Sequence, residues 1–341
     1  MQGLGPGACP TPAGTGPEEH FLPAPLIAVV GPTGSGKTEL ALRLAERFGG
    51  EIVNTDSLQV YRHLDIGTAK PEPAERARAP HHLLDVADPD EPFSAGAYVR
   101  AARRVLAELE GRGRLAILCG GTGLYFRALT QGLADIPEVP AAVRDALSAR
   151  LARQGPEALH AELGRTDGPS AARIHPRDGQ RIVRALAVVE ATGRSLSAYQ
   201  AARPFRCAAR GVLSVGFAWE RGELYRRVDR RVERMLERGL VGEVEGILAR
   251  GYSPQLKPLR AIGYLEAVAY LQGRLAREAL APAIQLRTRH YAKRQITWFR
   301  RHPGVDWAAP EDYAAVAARV SEFLGRERRQ AKSRPEAALR A

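Results

Sequence analysis

Three cysteines in 341 residues, Cys9, Cys119 and Cys207, are too few and too scattered for a disulfide framework or a zinc pair. That scarcity fits a reducing cytoplasm, which is the expected location. No uninterrupted apolar run is long enough to span a bilayer, so no membrane partner is expected. The opening stretch MQGLGPGACPTPAGTGPEEH has neither a basic start nor an apolar segment. Residues 1–24 are therefore expected to be a disordered Gly/Pro-rich tail and not a signal peptide. Acidic residues are the scarcer charge, 38 Asp and Glu against 50 Lys and Arg, a formal net of +12. Such a surplus suits a polyanionic partner, nucleic acid first. An arginine- and alanine-rich composition raises the basic count by itself, so charge alone does not decide.

What the chain does have starts with GPTGSGKT, residues 31 to 38, between the apolar run LIAVV and ELALRLAERF. Gly31, Gly34 and Gly36 lack the Cβ that keeps a backbone from wrapping an anion, while Pro32, Thr33 and Ser35 complete the loop. Lys37 brings a positive charge to the outer phosphates, and the Thr38 hydroxyl suits a Mg²⁺ ion. The helix starting there adds its positive end. Leu26 to Val30 reads as a buried strand and Glu39 to Phe48 as an amphipathic helix, the context such a loop requires. The loop binds a phosphate chain.

Further strands are expected at EIVNTDS (51–57), LAILC (115–119) and GVLSVGF (211–217), with a helix over Ala97–Glu110. This is a P-loop NTPase-like α/β fold, a doubly wound parallel sheet with its ligand edge at the strand C-termini. The core runs over residues 25–140 and is interrupted by a helical insertion at 141–206. It resumes over 207–325 with C-terminal helices broken near Gly239 and Gly242, and 326–341 is expected to be a flexible tail. No internal repeat is present.

The chemistry is narrowed by what the strand tips carry. An ordinary ATPase needs a carboxylate at the end of a second strand, yet LAILC runs into GGTG. The guanine-specifying Asn-Lys-x-Asp tetrad is also absent. Asp56, at the end of EIVNTDS, is either a turn cap or a general base facing the loop. In RRVDRR, Arg227 and Arg231 share one helical face and either can reach a diphosphate. The plainer alternative pairs them with Asp229, Glu223 and Glu233. Arg226, Arg230 and Arg234 fall on the solvated side.

Taken in order, GPTGSGKT, TDSLQVYRHLDIGTAKP, HHLLD, GGTGLYFRAL, HPRDGQRIVRAL and KRQITWFRR resemble the bacterial tRNA dimethylallyltransferase (tRNA isopentenyltransferase) family from about residue 25 to about 302. The resemblance implies transfer of a dimethylallyl group from dimethylallyl diphosphate to N6 of the adenine immediately 3′ of a tRNA anticodon. The loop then holds a leaving group, with Mg²⁺ as cofactor. Asp56 maps onto the base that takes the N6 proton, and Thr122 lies at the same reacting centre. Ser57, Leu58 and Gln59 would line the extruded base. Gln180, Arg181, Ile182, Val183 and Arg184 correspond to the anticodon-loop contact segment, and Arg144 touches the same RNA. In KRQITWFR, the polar Lys293, Arg294, Gln295 and Arg300 alternate with Trp298 and Phe299, which suits backbone clamping plus stacking, and Ile296 points to the interior.

The family's basic residue is replaced in RAIGYL by Leu265, leaving Arg260 and Gly263 as the RNA contacts of that segment. No C-terminal Cys/His zinc module is present. The chain is expected to act as a monomer on the anticodon stem-loop. The alternatives are an adenylate isopentenyltransferase acting on free AMP, ADP or ATP, a P-loop small-molecule kinase, and a non-catalytic RNA-binding protein. A mononucleotide needs neither the insertion nor the basic C-terminal helices.

Overall fold

The computed structural model describes residues 25–134, 136–202, 211–302 and 304–338. The tail expected over 1–24, Cys9, Cys207 and residues 203–206 of the insertion lie outside the described residues.

Leu26–Val29 (β1) is fully buried, as a strand covered on both faces requires. It feeds the phosphate loop and then Lys37–Phe48 (α1), which Gly49 closes at φ 65° by donating its N–H to Ala45 O. Gly50–Asn54 (β2), Pro73–Arg78 (α2), His81–His82 (β3), Ala95–Gly111 (α3), Leu115–Cys119 (β4) and Gly123–Gln131 (α4) follow. Val212–Phe217 (β5) and Val305–Ala308 (β6) complete a parallel sheet of order β3-β2-β4-β1-β5-β6. Alternate residues of each strand face opposite layers. Leu26, Ala28 and Leu118 pack on α3 and α4, whereas Ile27, Val29 and Ile117 pack on α1 and on Tyr313–Ala338 (α14).

Residues 141–202 form Ala141–Gln154 (α5), Pro156–Thr166 (α6), Gly168–Ala171 (α7), Gly179–Thr192 (α8) and Leu196–Ala202 (α9). Leu147, Leu159, Leu163, Ile182 and Leu186 are each at most 1% exposed and belong to a cluster separate from the sheet's. At about 2 kcal/mol per buried aliphatic, that is a core of its own.

Arg221–Glu237 (α10), Leu240–Ala249 (α11), Tyr264–Leu271 (α12) and Arg277–Arg300 (α13) pack with the loop after β2 around Val60, Leu64, Val232 and Tyr264. Gly239, at φ 94°, separates α10 from α11, while Gly242 lies inside α11 and breaks nothing. The segment beyond Gly325, expected as a flexible tail, continues α14 to Ala338. Val316, Val320, Phe323 and Leu324 anchor the first half of that helix in the core, and the good helix formers of residues 326–332 suit its continuation past the last anchor.

Candidate active site

The phosphate loop is held open from outside. Gly31, Gly34 and Gly36 have φ of 140°, 81° and 86°, values that favour glycine. Trp219 Nε1 donates to Ser35 O at 3.0 Å and Arg227 Nε to Gly34 O at 2.9 Å, with the guanidinium 4.1 Å above the Trp219 ring. With those two carbonyls tied outward, the N–H groups of Gly34, Gly36 and Lys37 are left to face an anion, while Thr33 N–H goes to Gln295 Oε1 and Ser35 N–H to Pro32 O. Arg227, expected on the diphosphate, therefore supports the loop. Lys37 is turned inward, donating to Pro32 O at 2.7 Å. Burial lowers its pKa to about 8, aided by Arg231 and opposed by the charges of Cys119 and Asp56. The Arg231 guanidinium lies half-buried beside it and donates to Thr68 O at 3.4 Å; desolvation lowers its pKa and the Asp56 carboxylate opposes that. Thr38 opens on a cavity of about 20 Å³ shared with Asn54, Gln59, His81 and Cys119.

Asp56 stands just past the tip of β2. Asn54 brackets it, accepting its N–H at 2.9 Å and donating to its carbonyl at 3.2 Å. Asp56 Oδ1 accepts from Leu58 N–H at 2.9 Å, so the residue caps a turn and also directs charge at Lys37 and Arg231. Thr122 joins this turn, accepting Ser57 N–H at 3.0 Å and donating to Ser57 Oγ at 3.2 Å. Gln59 donates to Thr68 O and Ala69 O at 3.2 and 3.0 Å, tying the turn to loop 65–70.

That loop is itself gripped by residues that local sequence did not reveal. Glu243 Oε2 accepts the N–H groups of Asp65 and Ile66 at 2.9 and 2.6 Å, and Oε1 accepts Gly67 N–H at 3.1 Å and the Tyr264 hydroxyl at 2.7 Å. A Cβ on Gly67 would lie 2.5 Å from the Tyr264 ring, which is why DIGTAKP needs its glycine. Buried Lys70 donates to Tyr61 O, Asp65 and Asp85.

The glycines of GGTG serve packing. A Cβ would come within 2.3 Å of Thr55 Oγ1 at Gly120, 2.2 Å of Gln295 Nε2 at Gly121 and 2.4 Å of the Trp298 ring at Gly123. Gln295, expected on RNA, is only 6% exposed; its Oε1 accepts Thr33 N–H at 2.8 Å and its Nε2 donates to Gly121 O at 2.9 Å. Ile296 packs on Leu224 and Val228, and Phe299 is in the core.

Lys293, Arg294 and Trp298 line a groove of about 740 Å³ whose other walls are Arg127, Gln131, His290, Thr297, Arg301 and His302. Trp298 stacks on His302 at 5.5 Å and meets Phe126 edge-on. Arg127 and Gln131 went unrecognised because their place opposite α13 is set by packing across the chain. Arg300 is exposed outside this lining.

On the insertion, Gln180, Arg181, Arg184 and Arg144 are exposed, and Arg144 adds its charge to the burial that lowers the Arg184 pKa. Ile182 is 0% exposed and so is not an RNA contact, while Val183 is half-buried against the same core. A helix cannot present five consecutive residues to one ligand. Arg260 is exposed, but Gly263 is buried at φ 91°, where its N–H donates to Glu266 Oε2 at 2.7 Å to start α12.

The model of the IPP transferase family matches residues 59–302, and that of the isopentenyl transferase family matches 24–88. A tRNA dimethylallyltransferase 2 of Geotalea uraniireducens is 49% identical over 300 residues, covering 88% of this chain and 97% of that protein. A tRNA dimethylallyltransferase of Solibacter usitatus is 50% identical over 307 residues, covering 88% and 99%. Among solved structures, a tRNA isopentenylpyrophosphate transferase of Bacillus halodurans superposes with a TM-score of 0.67 at 35% identity, covering 91% of this chain and 99% of that one. A eukaryotic dimethylallyltransferase acting on tRNA gives 0.73 at 26% identity, covering 85% and 75%.

Proposed function

This chain belongs to the IPP transferase family, and from that premise we propose that it transfers a dimethylallyl group from dimethylallyl diphosphate to N6 of the adenine immediately 3′ of the anticodon in tRNA. The observation that carries the reading is the meeting of opposite chemistries at nearby strand tips. Lys37 and Arg231 lie half-buried beside the phosphate loop, and both feel the charge of the Asp56 carboxylate.

The loop N–H groups, Lys37 and Arg231 bind the diphosphate, Lys37 exchanging Pro32 O for a phosphate oxygen. The C1–O bond breaks and its electron pair leaves with the diphosphate as the N6 lone pair forms the new N–C1 bond. Asp56 takes the N6 proton. Donors fixed in advance on the developing charge contribute about 3 kcal/mol each, roughly a hundredfold in rate. Thr122 holds the Asp56 turn in register through Ser57.

A hard divalent cation fits the loop. Thr38 offers a hydroxyl oxygen, and among the described residues no group of three His, Cys, Asp or Glu could hold a metal alone. Diphosphate and water oxygens would complete the shell, the habit of Mg²⁺. Bound there, it would neutralise charge on the leaving group.

The groove at Lys293, Arg294 and Trp298, with the exposed Arg144, Arg181, Arg184 and Arg260, offers RNA phosphate contacts and a stacking surface. These offset the few kcal/mol needed to extrude a base. An adenylate isopentenyltransferase would leave the groove and the insertion without a use. Radiolabelled dimethylallyl diphosphate supplied with tRNA or with AMP separates the readings: label is expected in tRNA. Label in AMP alone, or ATP turnover without prenylation, would overturn the assignment.

A further inference from the structure

We propose that Gln295 is a positioning residue for the transfer reaction, an uncharged strut that sets the gap between the phosphate loop and the Thr122 turn without touching RNA. The inference deepens the function proposed above and rests on it. One planar amide spans the two halves of the site. Its Oε1 accepts from Thr33 N–H in the donor loop at 2.8 Å, and its Nε2 donates to Gly121 O, next to Thr122, at 2.9 Å.

These partners fix the amide orientation, because a flip would set donor against donor and acceptor against acceptor. Thr122 in turn holds Ser57 N–H at 3.0 Å, one residue from Asp56. Donor grip and proton acceptor are thus linked through a single side chain. Gly121 leaves no slack, since a Cβ there would sit 2.2 Å from Nε2. Tyr291, one turn earlier on α13, lies beside the same side chain. The neighbouring Lys293 and Arg294 face the groove, whereas Gln295 is buried. Reacting atoms held about 3 Å apart lose rate steeply when misplaced by 1 Å.

The test uses the full chain with Gln295→Leu and Gln295→Glu, radiolabelled dimethylallyl diphosphate, an anticodon stem-loop RNA, and RNA affinity from fluorescence anisotropy. Gln295→Leu is expected to lower kcat/KM for the donor about tenfold or more, with RNA Kd within about twofold of the parent. In Gln295→Glu an ionised carboxylate repels Gly121 O, but the protonated acid restores both hydrogen bonds. Its activity relative to the parent should therefore climb as pH falls from 8 to 6. Thermal unfolding in parallel reports whether each variant is folded; if the leucine variant is not, the glutamate variant carries the test.

A tenfold rise in RNA Kd with an unchanged donor KM would make Gln295 an RNA contact and overturn the proposal. So would unchanged kinetics, or a glutamate-to-parent activity ratio that stays flat with pH. If the parent itself fails to label the RNA, the functional reading fails and takes this inference with it. A defect confined to the variants leaves that reading standing.

Discussion

Replacing Glu243 with glutamine changes one oxygen for an NH₂ group and keeps the shape. The carboxylate accepts four hydrogen bonds, two at each oxygen: Asp65 and Ile66 N–H at Oε2, Gly67 N–H and the Tyr264 hydroxyl at Oε1. The least costly orientation sets the NH₂ against Gly67 N–H and the Tyr264 hydroxyl, which can turn to accept. Gly67 N–H is then orphaned, at about 1–3 kcal/mol, and two charge-assisted bonds weaken by about 1 kcal/mol each. The sum is on the order of 3–5 kcal/mol, a large share of a domain's stability. Urea unfolding should show a lowered midpoint, and hydrogen exchange should quicken at residues 65–67. Gln59 and Arg231 both bond to this loop, at Thr68 O, so kcat/KM for the donor should fall more than RNA affinity. A stability loss below about 1 kcal/mol with unchanged exchange at those amides would refute the reasoning.

Burial pushes the Cys119 thiol up to about 11 from an ordinary 9.0, with Asp56 adding to the rise and Lys37 opposing it. The folded state then holds a proton that the unfolded state has released, so stability should fall as pH rises between those values. With Cys9 and Cys207 replaced by serine, a thiol reagent at pH 8 should label the half-buried, protonated Cys119 more slowly in the native protein than in urea; equal rates would contradict this. Asp56→Asn retains an acceptor for Leu58 N–H but removes the base, so single-turnover transfer should slow by about 10²–10⁴ with RNA Kd within a few-fold. A large loss of RNA binding at unchanged turnover would contradict that role. Lys293→Ala should weaken RNA binding and flatten its log–log salt slope by about 1; if titrations at several salt concentrations show neither change, Lys293 makes no phosphate contact.

The parts of the fold that could be read in advance are those whose causes are local. An apolar run, a glycine loop and an amphipathic stretch mark β1, the phosphate loop and α1 without outside help. Asp56 stood out as the carboxylate at a strand end. By contrast, β3 has two residues, and β6 is an edge strand interrupted by Asp306, too short and too polar to show a period. Trp219, Glu243 and Tyr264 escaped because each acts on backbone far away in the chain, as Trp219 does on Ser35. Ile182, Gly263 and Gln295 were set on RNA by reading contact segments as continuous strings. A helix buries one side, and these three fall on it or at its start. Arg227 is a subtler case: its four-residue spacing from Arg231 is real, but the spacing does not reveal that its Nε is held by Gly34 O.

The sheet order carries one more consequence. β4 lies between β1 and β2, so the donor loop and Asp56 rise from tips two strand spacings apart, roughly 9.6 Å. An in-line row of gripped oxygen, allylic carbon, nitrogen and proton acceptor spans a similar length, at about 3 Å a step. In the proposed reaction the backbone ladder thus sets the coarse length of the reaction coordinate, and side chains such as Gln295 trim it. The prenyl tail in that proposed reaction leaves the line at C1, so the strand spacing does not measure tail length, and chain-length preference would fall to side chains flanking the row.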